Sequence, residues 1–395
     1  MRRTKHIATI AMLALLSAGV ASGRTWHVEQ DGSGEFTMIQ QAVDAASDGD
    51  VIAIGPGRYD DYQEVGNSWI IVNMDGSKGL TFVGSGTEQT IIGPEVYDEN
   101  DHTRYGFLCL EGAVTVRLEH LRVENQTLYG IALICETVEL EDCVIDRCFR
   151  GLVNFATTST LTVRNCRFIN GPHQAGASAL ASRAEHVLIE DSDFVGYWSG
   201  VNLDRSGTID TLVRNCRFDG EGWGNVGMNY TLYAGGTVEY CSFTGINNFG
   251  FSASDCGPVV FRYNVVEDCP GAGIGFNGCA DFTVHDNTVD QCTPCIFVSE
   301  PSDAQHVYDN HFFRNESAGG FYLRTSDYYP YGPFDLDFTE NYWGTTDADE
   351  ISQWIYDGHD NPDVLMYVVF EPMADGPVSV EQKSWSEVKG LFGGE

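Results

Sequence analysis

The chain is poor in positive charge: 22 Lys and Arg stand against 57 Asp and Glu, a formal charge of −35 at neutral pH. That deficit disfavours nucleic acid and anionic lipid as partners, because both call for a basic surface. It suits divalent cations or a salt-tolerant exterior equally well. Long apolar runs are missing beyond the first 23 residues, so no membrane insertion is expected. No His-Glu-x-x-His, phosphate-binding glycine loop or nucleophile elbow occurs, which removes the simplest metalloprotease, nucleotide and hydrolase readings. Cys292-Thr293-Pro294-Cys295 is a lone C-x-x-C without a βαβ setting, so redox activity is not expected. Pro/Ser-rich linkers are lacking too, and the 395 residues read as one elongated domain rather than two or three.

What is present begins with a leader. Arg2, Arg3 and Lys5, an apolar run from Ile7 to Leu16 and the small-residue stretch Ser17 to Gly23 read as a secretory signal over residues 1–23, too short to span a bilayer. Its removal takes three positive charges away and moves the formal charge from −35 to −38. The mature chain is expected to be secreted, extracellular or periplasmic, and monomeric.

A short motif then recurs: an apolar residue, two variable ones, Cys or Asn, one more variable and an aromatic or aliphatic residue. It reads Val163-Arg164-Asn165-Cys166-Arg167-Phe168, Val213-Arg214-Asn215-Cys216-Arg217-Phe218 and Phe338-Thr339-Glu340-Asn341-Tyr342-Trp343. The Cys/Asn slot falls at 143, 166, 192 (Ser), 216, 241, 264, 287, 310 and 341, mostly 23 to 26 residues apart. Such a period without a helical pattern predicts a solenoid of about three short strands per coil. Each repeat carries a second apolar segment opened by glycine, as in Gly151-Leu152-Val153 and Gly200-Val201-Asn202-Leu203. Stacked coils lie about 4.8 Å apart and place equivalent residues in columns. Asn in one column can bond its own kind above and below, and Cys there serves as a small apolar filler.

This pattern looks like a right-handed parallel β-helix, the architecture of the pectin lyase-like families, over roughly residues 25–375. The fold expected is all-β, with about 23–25 residues per coil, a short N-terminal capping helix and a C-terminal helix. The passage DGSGEFTMIQQAVDAASDGDVIAIGPGRYDD resembles the N-terminal coil of pectin methylesterases. It predicts a helix from Met38, with Thr37 as N-cap, covering the open end of the solenoid. The stretch from Asn341-Tyr342-Trp343-Gly344 to Phe370-Glu371-Pro372 resembles the closing segment of bacterial secreted β-helix-repeat proteins. Within it 345–357 reads as a capped amphipathic helix with Ile351, Trp354 and Ile355 on one side. The organisation is then 24–113 cap and first coils, 114–343 regular coils, 344–377 C-terminal cap and 378–395 a tail with a short amphipathic helix.

Charges follow the same register. Two residues before the slot stand Glu141, Arg164, Glu190, Arg214, Glu239, Arg262 and His285, so the sign alternates from rung to rung. A ladder of surface ion pairs explains most of them, each worth a few tenths of a kcal/mol. The functional alternative is a groove in which Glu190, Asp193 and Glu239, with Arg214 or Arg217, meet a polysaccharide and hold calcium on oxygen ligands. Catalytic relatives are matched only in part. Gly207-Thr208-Ile209-Asp210 resembles the start of a pectin methylesterase signature, but the rest of it and the Leu-Gly-Arg-Pro-Trp segment do not follow. A pectate-type lyase implies an arginine base beside a calcium cluster, and Asp204-Arg205 with Asp193 is the nearest match. Asp193, Asp204, Arg205 and Glu239 are thus the candidate catalytic residues, with Asp193 and Asp204 as candidate calcium ligands.

Phe149, Trp198, Trp223 and Phe249 follow the slot by six to eight residues and are expected to project from corresponding turns, while Tyr329 lies in an aromatic tract near the far end. Trp198, Trp223, Phe249 and Tyr329 are the candidate sugar-stacking residues; packing onto the solenoid is the plain alternative. Twelve cysteines in an exported chain permit disulfides, yet pairs such as Cys143/Cys166 and Cys216/Cys241 on adjacent rungs equally suit stacked buried thiols. Two function classes remain. One is a secreted protein that binds, and as a lyase or glycoside-hydrolase-like enzyme cleaves or modifies, a polysaccharide or cell-surface glycan. The other is a non-catalytic structural or adhesive surface protein.

Overall fold

The computed structural model describes residues 23–376 apart from 111, 113, 158, 205–209, 233–234, 280, 301–303, 315–319 and 327–328; residues 1–22, the whole 378–395 tail and Arg205 lie outside these. The chain winds about 12 turns of parallel β-solenoid. Each turn contributes one strand to each of three walls. The first wall is a 14-stranded sheet in which strands such as Thr160–Arg164, His186–Glu190 and Asp210–Arg214 follow one another in register. Three-residue strands such as Arg167–Ile169 build the second wall, and five- or six-residue strands such as Ser199–Asp204 the third. Strands Arg217–Thr231 and Ser242–Ser254 run round the corner between them, so these two walls share one hydrogen-bonded sheet of 22 strands.

The motif maps onto the corner between the first and second walls. The residue before the slot takes the left-handed conformation in every regular rung, as at Asp142, Asn165, Asp191, Asn215, Asp286 and Asp309, with φ between 50° and 55°. Asn and Asp tolerate this region better than other side chains, and one such residue turns the chain sharply. The slot side chain then points inward. Asn264, Asn287, Asn310 and Asn341 are completely buried and form a ladder, each Nδ2 donating to the next Oδ1 at 3.1, 2.9 and 2.9 Å. Cys143, Cys166, Cys216 and Cys241 continue the column as buried free thiols, and Cys143 Sγ reaches Leu118 O at 3.4 Å. Burial pushes the Cys166 and Cys216 thiols well up, which makes them fillers rather than nucleophiles.

The residue two after the slot fills the core. Phe168, Phe194, Phe218 and Phe243 stack rung on rung with centroids 5.1, 5.0 and 4.6 Å apart. Helix α1 (Ile39–Ala45) closes the N-terminal end by burying Ile39, Ala42 and Val43. It starts one residue later than expected: Met38 occupies the cap position and Thr37 makes no cap, lying one residue too far from the free N–H groups. At its other end Lys78 Nζ donates to the carbonyls of Val43 at 2.6 Å and Ala46 at 2.9 Å. Helix α2 (Ala348–Ser352) is shorter than expected. Asp347 caps it through the Asp349 and Glu350 amides. Ile355 leaves the helix to pair with Leu323 in strand Ile355–Tyr356, so the sheet, not the helical period, decides where it ends. Tyr329, in the aromatic tract near the far end, opens strand Tyr329–Asp337 of the first wall.

The charge ladder lies on the first wall in the expected register, Glu141↔Arg164↔Glu190↔Arg214↔Glu239↔Arg262. It is less solvated than expected. Glu190 is 5 % exposed, lying between Arg164 at 2.9 Å and Arg214, whose long side chains cover it. Burial alone would raise the Glu190 carboxyl, but the two guanidiniums outweigh it and hold it below the usual glutamate range. A lowered folded-state value stabilises the protein above the unfolded-chain value of about 4.3, and that contribution is lost as pH falls through the folded one. Glu190→Gln should therefore lower the urea midpoint at pH 7 and leave a much smaller gap from wild type at pH 3. Equal gaps at the two pH values would show that the carboxylate charge is irrelevant.

Candidate functional site

The outer face of the third wall carries the best-formed site. Because every second or third residue of a strand faces outward, rung stacking lines up two columns, Ser178–Ser199–Val226 and Ala181–Asn202–Asn229–Ser252–Gly275. Their side chains are small, so the wall is recessed here. Close rung packing demands this nearby as well: a Cβ on Gly200 would lie 2.3 Å from Gly227 O.

Large side chains frame the recess. Toward the N-terminus Tyr105 and Tyr129 pack at 5.2 Å, with the Arg150 guanidinium over the Tyr129 ring at 5.6 Å. Toward the C-terminus the Phe249 ring lies over Gly275, where a Cβ would come within 2.5 Å of it, and Phe297 follows at 6.5 Å. One long edge is Trp198, which leans on Trp223 at 6.2 Å. The other is the Arg183–Asp204 pair at 3.0 Å, with Arg183 over Phe155. The central cavity measures about 390 Å³ and is lined by Arg150, Phe155, Arg183, Trp198, Asn202 and Asp204 among others. Among the described residues Arg150 has no carboxylate partner; its Nη1 donates to the Tyr129 hydroxyl at 3.4 Å. A cation, amides, hydroxyls and flat apolar rings along an open trough can bind an extended chain of hydroxyl-bearing rings.

Of the residues singled out from sequence, Asp204, Trp198 and Phe249 belong to this trough. Asp204 is engaged by Arg183. Asp193 faces outward on the second wall, 3.8 Å from Arg167, and Glu239 on the first wall is bound by Arg262 at 2.7 Å. Arg217 lies opposite Asp193 in register, as expected, but its guanidinium pairs with Asp219 of its own strand. The two Asp residues thus stand on different walls with separate arginine partners. Among the described residues no group of three or more His, Cys, Asp or Glu is placed to hold a metal ion. Phe149 and Trp198 each directly precede a third-wall strand, but Phe249 lies within its strand opposite Val226, and Trp223 sits on a bulge; the four do not form one column. Tyr329 is on the first wall, away from the trough. Sequence reading passed over Arg150, Arg183 and Asn202, although the small outward residues after each glycine-opened segment already marked the recess.

These features define a class, the parallel β-solenoids with an open groove along one wall. The sequence matches the family described as right-handed β-helix region over residues 70–194 and 175–332, and the chain belongs to that family. The fold is similar to that of the periplasmic alginate epimerase AlgG at 10 % identity, covering 82 % of this chain and 76 % of that one, with a TM-score of 0.45. It is also similar to pectin methylesterase from carrot at 14 % identity, 68 % and 83 % coverage and a TM-score of 0.37. The catalytic domain of Agl-KA shares 13 % identity, with 85 % and 63 % coverage and a TM-score of 0.41. Nothing among curated proteins matches. No helix among the described residues is long and apolar enough to cross a membrane.

Proposed function

We propose that this protein is a secreted polysaccharide-binding β-helix whose ligand lies in the third-wall groove. The observation that carries the reading is the recess itself: small columns repeating every rung, about 4.8 Å, between the Trp198 edge and the Arg183–Asp204 edge. A repeating floor suits a repeating polymer, and aromatic edges supply faces on which sugar rings stack. Arg150 offers a charge-assisted contact to a carboxylate or hydroxyl oxygen.

Glycan arrays of neutral and uronate polymers, run with calcium and with chelator, test this. Binding is expected, with Trp198→Ala and Asn202→Ala each weakening it about tenfold, ~1.4 kcal/mol. Tyr240→Ala, on the corner opposite the groove, should leave it unchanged. Reducing-sugar and unsaturated-product assays on the polymers that bind decide whether the chain is also cut, as a hydrolase or a lyase would cut it. No binding and no turnover across the panel would leave the structural or adhesive reading in its place.

A further inference from the structure

A second cavity of about 390 Å³ lies at the corner between the second and third walls, lined by Tyr97, Glu99, Arg147, Asn170, His173 and Glu221 among others. Three departures from the regular coil build it. The slot spacing widens to 26 residues between 166 and 192, and the surplus forms the 171–176 segment that carries His173. Strand Arg217–Thr231 breaks register between Asp219 and Gly224, with Glu221 and Gly222 at positive φ, which brings the Glu221 carboxylate over Gly196. The acidic 94–103 segment is tied to the same corner by the Asn125 amide, which donates to Pro94 O at 2.9 Å and Glu95 O at 3.2 Å.

The lining has unused bonding capacity. The Tyr97 hydroxyl on the lining is buried without a hydrogen-bond partner among the described residues; Trp223 Nε1, not itself on the lining but in the ring stacked against His173, is also unpaired among them. Buried polar hydrogens are nearly always paired, so such atoms beside a cavity mark where a ligand oxygen fits. Arg147 stands in the left-handed corner conformation and has no carboxylate partner among the described residues. Two carboxylates can only accept, the guanidinium can only donate, and the Asn170 amide, whose Nδ2 already donates one hydrogen to Asp146 Oδ1 at 3.0 Å, keeps its oxygen and a second N–H. The hydroxyls of a sugar ring, each donor and acceptor at once, match this mixture. His173 and Trp223, stacked at 4.4 Å, add an aromatic platform. Glu99 and Glu221 outweigh Arg147, which disfavours an anionic ring; the trough on the third wall, with Arg150 and Arg183, has the opposite balance.

We propose that the corner pocket binds a neutral sugar residue, separately from the polymer in the groove. The proposal rests on the sugar-binding reading of the protein but not on the groove. Its test is titration of the full chain with neutral gluco-, manno- and galacto-oligosaccharides and, in parallel, with the polymer found on the array. Tyr97→Phe and Glu221→Gln are expected to weaken the neutral oligosaccharide at least tenfold while polymer affinity stays within twofold. Tyr97→Phe removes a hydroxyl with no internal partner, so its melting temperature should equal that of wild type. Absence of neutral-sugar binding, or binding indifferent to both substitutions, overturns the pocket while groove binding persists. Pocket-dependent binding without any polymer binding overturns the groove alone.

Discussion

Replacing Asn287 by leucine is expected to destabilise the solenoid by about 4 kcal/mol, the sum of several lost hydrogen bonds and the buried groups they leave unpaired. The side chain is wholly buried, and its Nδ2 donates to Phe261 O, His285 O and Asn310 Oδ1, all at 2.9 Å. Its Oδ1 accepts from the Asn264 backbone at 2.9 Å and from Asn264 Nδ2 at 3.1 Å. Leucine fills the volume but strands the Asn264 amide and two carbonyls in the buried interior. Cysteine, which the chain itself uses at 143, 166, 216 and 241, should cost roughly half as much, because the thiol is smaller and can still donate weakly. The double variant Asn287→Leu/Asn310→Leu should cost less than the sum of the two single leucine variants, since the bond between them is lost only once. Denaturant midpoints of the single and double variants measure each of these. Leucine and cysteine variants of equal stability would show that the ladder contributes only packing.

Phe218→Ala should cost about 3–5 kcal/mol, and Phe218→Leu under about 1.5 kcal/mol. Phe218 is 1 % exposed and stands in the middle of four stacked rings, 5.0 Å from Phe194 and 4.6 Å from Phe243, the latter nearly parallel at 3°. Truncation removes contacts on two sides at once. The hole cannot collapse easily, because the rungs above and below are tied by backbone hydrogen bonds on both walls. Its effect should also reach the groove. The ring lies against Gly200, where a Cβ would come within 3.1 Å of Phe218 Cδ1, so the floor beside Ser199 and Asn202 loses its backing. Thermal melts and the polymer titration of the same variant test both parts. A stable variant with normal affinity would show that the stack is dispensable.

The repeat was legible because a solenoid writes its geometry into the sequence at short range. Asn165-Cys166-Arg167-Phe168 and its copies place an inward slot with a charged residue beside it, as expected, and the structure adds a left-handed corner before the slot and a core ring two residues after it. The expected opposition of Arg164 with Glu190 and of Glu190 with Arg214 is in the structure for the same reason. Where local pattern competed with sheet pairing, the sheet won: Ile355 fits a helical stripe yet forms a strand with Leu323, because a parallel partner was already in place.

The candidate sites were much less legible. Asp193 and Asp204 are eleven positions apart and look like neighbours, but a corner at Gly196 lies between them and puts them on different walls. Trp198 and Phe249 hold different positions in the repeat yet border one trough, because that trough spans several rungs. The corner pocket draws Glu99, Arg147, His173 and Glu221 from segments more than 120 residues apart.

The sequence by itself thus determined the period, the columns and the identity of what fills them, since each depends on residues within one coil and its nearest copies. The tertiary structure alone decided which outward residues share a surface. Stacking brings every rung within reach of the next, but the insertions at 171–176 and 220–224 and the anchored 94–103 segment set which side chains overhang it. Those positions follow from long-range packing, which no local pattern encodes.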